Sequence, residues 1–191
     1  MLKKIIFIVF VSFLFIECKE EKNPFLISND SVGLLTRGMT IKKIDSVFVR
    51  DSIVKLYTQN NELPTQGEVE IFEKNGTKLL SISPITNNDP DALISNFQFF
   101  DPRYKTDKGL NLSSTFKDIK TNYKISNIET TISTVVLFLE DSDLFINIDK
   151  KELPENLRYN PNLEIDITNI PDDAKIKYFM LSWKIDEFDK K

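Results

Sequence analysis

The chain has 191 residues, 41% hydrophobic and 28% charged, which fits one folded domain or two small repeats sharing a core. It holds no histidine and one cysteine, so Ser-His-Asp and Cys-His catalysis, imidazole metal ligation, an intrachain disulfide and a thiolate zinc site are excluded. The net charge is −4, and the 25 Lys and Arg are interleaved with 29 Asp and Glu, whereas phosphate binding needs a concentrated basic face; no nucleic-acid partner is expected.

Met1-Leu2-Lys3-Lys4 is a short positive stretch, followed by Ile5 to Ile16, twelve residues with only Ser12 polar. That run suits a signal-peptide core and is too short for the roughly 20 residues that span a bilayer, so residues 1–17 are expected to be a signal peptide. Removing them, with Lys3, Lys4 and Glu17, would take the net charge from −4 to −5. Cys18 follows directly, and the arrangement resembles a bacterial lipoprotein signal, although Glu17 stands where that pattern usually has Gly, Ala or Ser. The resemblance implies that Cys18 is acylated and that the protein is anchored to the outer membrane rather than spanning it. Lys19-Glu20-Glu21 resembles the tag of surface-exported lipoproteins of the Bacteroidetes type, and a solvated tether would look the same; surface and periplasmic faces both stay open. Residues 18–29 are read as the lipidated cysteine and tether, and 30–191 as a single domain.

Within the domain a weak repeat recurs. Gly33-Leu34-Leu35-Thr36 leads to Thr40-Ile41-Lys42-Lys43-Ile44 and Phe48; Gly109-Leu110-Asn111-Leu112 leads to Thr115-Phe116-Lys117-Asp118-Ile119 and Tyr123. Offsets of three and four put the apolar residues on one face of a short helix, and each Thr stands where its hydroxyl can cap the first turn. Each helix is followed by an expected hairpin. The first turns at Asn75-Gly76 between Val69–Phe72 and Leu79–Ile82; the second turns at Asp141-Ser142-Asp143 between Val135–Phe138 and Leu144–Ile148. Ile94 to Phe100 and Lys175 to Trp183 read as further strands, and Lys151 to Leu157 as a helical turn limited by Pro154. The expected fold is α+β, mainly antiparallel sheet with a few short helices, in two tandem helix–hairpin units at 33–84 and 109–149.

The stretch Phe100-Asp101-Pro102-Arg103-Tyr104-Lys105-Thr106, followed by Lys108-Gly109-Leu110 and the helix after Thr115, is similar to modules in secreted bacterial proteins of unknown function. The wider layout over residues 30–184, with a strand ending in Trp183, looks like the envelope-stress lipoproteins of enterobacteria. That resemblance implies this fold and an envelope location, and brings no catalytic residue with it.

Candidate chemistry is sparse. Glu68, Glu70 and Glu73 fall at alternating positions and read as a solvated strand face, although a carboxylate-pair glycan hydrolase is kept as the alternative function. Ser114-Thr115-Phe116-Lys117 has Ser-x-x-Lys spacing, but Ser114 reads better as a cap neighbour. Asp89-Pro90-Asp91, Asp141-Ser142-Asp143 and Asp172-Asp173 lack the ligand spacing of a calcium loop and read as Asx turns; no metal or other cofactor is expected. Arg103, Tyr104, Arg158 and Tyr159 form a candidate binding surface for an envelope protein or glycan. Ser31, Ser46 and Ser52 lie in Asp-Ser-hydrophobic tripeptides that resemble O-glycan acceptors of Bacteroidetes envelope proteins. The expected function is a non-enzymatic, lipid-anchored binding or structural module.

Overall fold

The computed structural model describes residues 22–57, 66–86, 89, 91–158 and 165–184. Cys18, Tyr159 and the 1–17 segment lie outside these residues. The chain opens with three short strands, β1 (Leu26–Ile27), β2 (Ser31–Val32) and β3 (Leu35–Thr36). A 3-10 turn at Ile41–Lys43 then runs into α1 (Ile44–Val47). Four strands follow as an antiparallel meander: β4 (Ser52–Tyr57), β5 (Gln66–Phe72), β6 (Lys78–Pro84) and β7 (Ile94–Phe99). After the short β8 (Lys105–Thr106), the pattern recurs: α2 (Phe116–Asn122), β9 (Ile125–Thr130), β10 (Thr134–Leu139), β11 (Leu144–Asp149) and β12 (Ile176–Ser182). The β11–β12 connection carries 3-10 turns at Lys150–Glu152 and Ile167–Asn169 and one helical turn, α3 (Glu155–Arg158), just after Pro154.

These elements make two sheets. The larger has the order β4-β5-β6-β7-β12-β11-β10-β9, with every neighbouring pair antiparallel; the smaller has the order β3-β2-β1-β8, with β1 and β8 parallel. The α+β class and the mainly antiparallel sheet agree with the sequence reading. The helix–hairpin unit does not: each helix is followed by four strands, and β4 and β9, which the sequence reading left out, form the two edges of the large sheet. The strands that close each set, β7 and β12, lie beyond the expected boundary at 84 and 149. The tether also ends earlier than expected, because Ile27 is 2% exposed and belongs to the core.

The centre of the large sheet is a seam with local twofold symmetry. Asp91-Ala92-Leu93-Ile94 and Asp173-Ala174-Lys175-Ile176 enter β7 and β12 in the same way. The Ala92 carbonyl accepts from the Ile41 amide (3.0 Å), and the Ala174 carbonyl accepts from the Phe116 amide (2.9 Å). Thr40 bridges to Leu93 and Thr115 bridges to Lys175. On that alignment Phe97 corresponds to Phe179 and Phe99 to Leu181. The seam pairs Phe97 with Leu181 and Phe99 with Phe179, so exchanging the halves exchanges these two pairs.

One face of the sheet carries the alternating apolar positions that the pleat puts together, among them Leu80, Ile82, Phe97, Phe99, Ile146 and Phe179. Ile41 and Ile44 from the first helical segment and Phe116 and Ile119 from α2 are buried in the same core. The two helix starts differ: at α2 Thr115 and Asp118 form a capping box in which the Thr115 side chain accepts from the Asp118 amide as expected, whereas the expected Thr40 cap is not made. Asp118 reaches back to accept from the Thr115 amide (2.7 Å) and hydroxyl (3.0 Å), while the Thr40 hydroxyl is buried without a hydrogen-bond partner.

Candidate functional site

The residues singled out for binding are dispersed. Tyr104 was expected on a surface, yet it is 2% exposed: it packs against Phe99 at 5.4 Å between ring centroids and edge-on to Phe25 at 5.1 Å. Burial raises its phenol pKa, helped by the charges of Asp51, Asp101 and Glu73. Arg103 does reach the surface, but its guanidinium is engaged. It donates to both carboxylate oxygens of Asp101 (2.9 and 2.7 Å) and to Glu73 (2.7 Å), and it lies over the Phe25 ring. The side-chain bond from Arg103 is the main reason the Asp101 carboxyl titrates below the usual carboxylate range. Arg158 donates through Nε to the Leu153 carbonyl (2.7 Å), a bond that ties α3 to the turn before it. Among the described residues, no hydrogen bond or ion pair joins Arg158 to Arg103 or Tyr104. The expected surface is therefore a structural plug at one place and a local tie at another.

The acceptor serines are also separate. Ser31 sits in β2 with its hydroxyl 2.8 Å from that of Ser28; Ser46 is exposed and donates to the Lys43 carbonyl (2.7 Å); Ser52 is exposed at the start of β4. Of the acidic turns, Asp89 accepts from the Asp91 amide (2.9 Å) in the expected Asx manner. Asp143 instead pairs with Arg37, and Asp172 pairs with Lys120. No group of three or more His, Cys, Asp or Glu placed to hold a metal ion occurs among the described residues.

An open cleft of about 570 Å³ lies elsewhere, between the N-terminal hairpin and the second half of the large sheet. Its floor is apolar and buried, with Ile27, Leu144 and Leu181 each at most 4% exposed. One wall is the β1–β2 turn, Ser28 to Asp30, and the end of β8 from Thr106 to Lys108. The other is the C-terminus of α2, Tyr123 and Lys124, with the β10–β11 turn, Glu140 to Ser142. The walls are cross-tied. Tyr123 donates its hydroxyl to Thr106 Oγ1 (2.7 Å), and Asn29 reaches the Asp141 carbonyl (3.4 Å). Lys124 pairs with Glu140 at 2.9 Å, and the Glu140 amide bonds back to the Lys124 carbonyl (2.8 Å). That carboxylate raises the Lys124 pKa. Lys108 sits over the Tyr123 ring at 4.5 Å and donates to the Asn122 carbonyl (3.0 Å). Asp30, Asp107 and Asp141 stand on the rim with no ion pair among the described residues.

The cleft combines an apolar base, polar edges and a surplus of acid over base, four carboxylates against two lysines. In the sequence Tyr123 stands at the end of a helix and Asp141-Ser142-Asp143 in a turn, each with a local role only. The packing of the first hairpin against them, from about 90 to 117 residues away in the chain, brings them together.

Comparisons with known proteins give the fold and little else. No family model matches the chain. No curated protein matches it by sequence. Among solved structures, it is similar to the crystal structure of the uncharacterized protein yfeY from Escherichia coli. That similarity has a TM-score of 0.54 and 15% identity, over 82% of this chain and 98% of that one, which shows a shared fold.

Proposed function

We propose that this chain is a non-enzymatic envelope protein, anchored to the outer membrane through a lipid on Cys18, that binds an envelope protein or surface glycan in the cleft beside its first hairpin. The cleft carries this reading, because its wall is built from the first strands after the tether. Eight residue steps separate Cys18 from Leu26, a reach of at most about 28 Å, so the anchor would hold the cleft close to the lipid surface.

Cell fractionation of wild type and Cys18→Ser tests the anchor: the wild type is expected with the membranes and the variant in the soluble fraction. Equal partition of the two overturns the anchoring. Retention of detergent-solubilised envelope components on the immobilised domain tests the binding. The same components should be lost from a Glu140→Lys, Asp141→Lys variant, and equal recovery on both removes the cleft from the reading.

A further inference from the structure

The twofold seam relates β4 to β9, β5 to β10, β6 to β11 and β7 to β12. Ser52 pairs with Phe72, the last residue of β5, and Ile125 pairs with Leu139, the last residue of β10. Asp51 and Lys124, the residues just before those strands, therefore correspond, as do Glu73 and Glu140 just after them. Across the seam Phe99 corresponds to Leu181.

In the first half these three positions surround Tyr104. Its ring packs on Phe99, and its phenol feels the charges of Asp51 and Glu73. Arg103 closes the notch by bonding to Glu73 and to Asp101. In the second half the counterparts Lys124, Glu140 and Leu181 all line the open cleft. One fold thus presents the same notch twice, filled by Arg103 and Tyr104 on one side and, among the described residues, open on the other.

We infer that the open cleft receives from a partner protein what the first notch receives from its own chain: a segment in which a basic residue is followed directly by an aromatic one. The ring would lie on Leu181 and Leu144, and the cation would face the acidic rim. Charge favours this occupant. Lys124 is already held by Glu140, whereas Asp30, Asp107 and Asp141 have no ion pair among the described residues. The inference rests on the binding-module reading above and narrows it to one kind of protein ligand.

The probe is the plug itself, a capped peptide Asp-Pro-Arg-Tyr-Lys copied from Asp101 to Lys105. Titrated into the purified protein and followed by backbone amide shifts, it should saturate with a Kd of roughly 0.1–1 mM. The shifts should centre on Ile27–Asp30, Thr106–Lys108, Tyr123–Lys124 and Glu140–Leu144. Peptides with Ala for Arg or for Tyr should bind about tenfold more weakly, as should Glu140→Lys, Asp141→Lys protein shown by its amide spectrum to be folded. Absence of saturation at about 5 mM, equal binding of the alanine peptides, or shifts confined to Phe99–Tyr104 overturns the inference. Binding that appears only after cleavage beyond Lys184 overturns it too, because the cleft then belongs to the chain's own last residues. If the peptide fails while envelope components are still lost with the charge-reversed variant, the cleft remains a binding site and only the basic–aromatic ligand is wrong.

Discussion

Arg103 donates to Glu73 at 2.7 Å across thirty residues of chain, and in doing so seals Tyr104 beneath it. The two residues act as a cork and its wire. The ring supplies buried area against Phe99 and Phe25, and the guanidinium, bidentate on Asp101, holds the turn that carries the ring.

Truncating the ring should therefore cost far more than cutting the wire. Tyr104→Ala is expected to lose about 3–5 kcal/mol of unfolding free energy, because it empties a closed aromatic site. Arg103→Ala should lose about 1–2 kcal/mol, since the guanidinium is partly exposed and its bonds are screened. Urea midpoints with unchanged slopes would check both; equal losses for the two variants would contradict the arrangement.

Acid should reveal the same contact. The Asp101 carboxyl titrates below its ordinary value of about 3.9, so the native state binds its proton less readily than the unfolded chain does. Its contribution is complete above that unfolded value and is lost as pH falls through the lower native one. The stability difference between wild type and Asp101→Asn should be constant from about pH 5 to 7 and shrink steadily below about pH 4. Urea titrations at several pH values measure it, and a difference that grows on acidification would reverse the assignment.

Two glycines with positive φ separate strain from collision. At Gly33, with φ 57°, an added Cβ would lie 2.1 Å from the Pro24 carbonyl oxygen; at Gly38, with φ 85°, it would meet nothing within 4 Å. Gly38→Ala should cost about 1 kcal/mol from backbone strain alone. Gly33→Ala should cost about 2–3 kcal/mol and open the first hairpin, read as faster proteolysis between Lys22 and Arg37.

The two helix starts should respond oppositely to losing their polar groups. Asp118→Asn removes a charged acceptor from the Thr115 amide and should cost about 1 kcal/mol. Thr40→Val removes a buried hydroxyl that has no partner and should be neutral or stabilising. Thermal unfolding of the two variants side by side would show it.

The strands of the two hairpins, the Asn75-Gly76 turn and the helix faces of Ile41/Ile44 and Phe116/Ile119 were legible in the sequence because each follows from a local period. The edges were not. β9 reads Ile-Ser-Asn-Ile-Glu-Thr, with apolar residues three apart, and pairing with β10 rather than its own alternation makes it a strand. The seam was within reach: Asp91-Ala92-Leu93-Ile94 and Asp173-Ala174-Lys175-Ile176 match at three of four positions, but the segments between repeats differ in length, so the helix alignment did not carry through to them. Tyr104 misled because an Arg-Tyr pair in a turn looks alike whether its ring faces out or in. The cleft could not be read locally at all, since its floor joins Ile27, Leu144 and Leu181 from three distant parts of the chain.

The parallel pairing of β1 with β8 has a mechanical consequence. A load drawn through the chain's N-terminal side enters at Phe25, which is clasped by Arg103 and Tyr104, and runs along β1. Neighbouring bonds in such a pair are stressed together in shear, whereas a hairpin pulled from its open end yields one bond at a time. Tension at that end would accordingly be passed into the aromatic core around Phe99 before the hairpin could peel away.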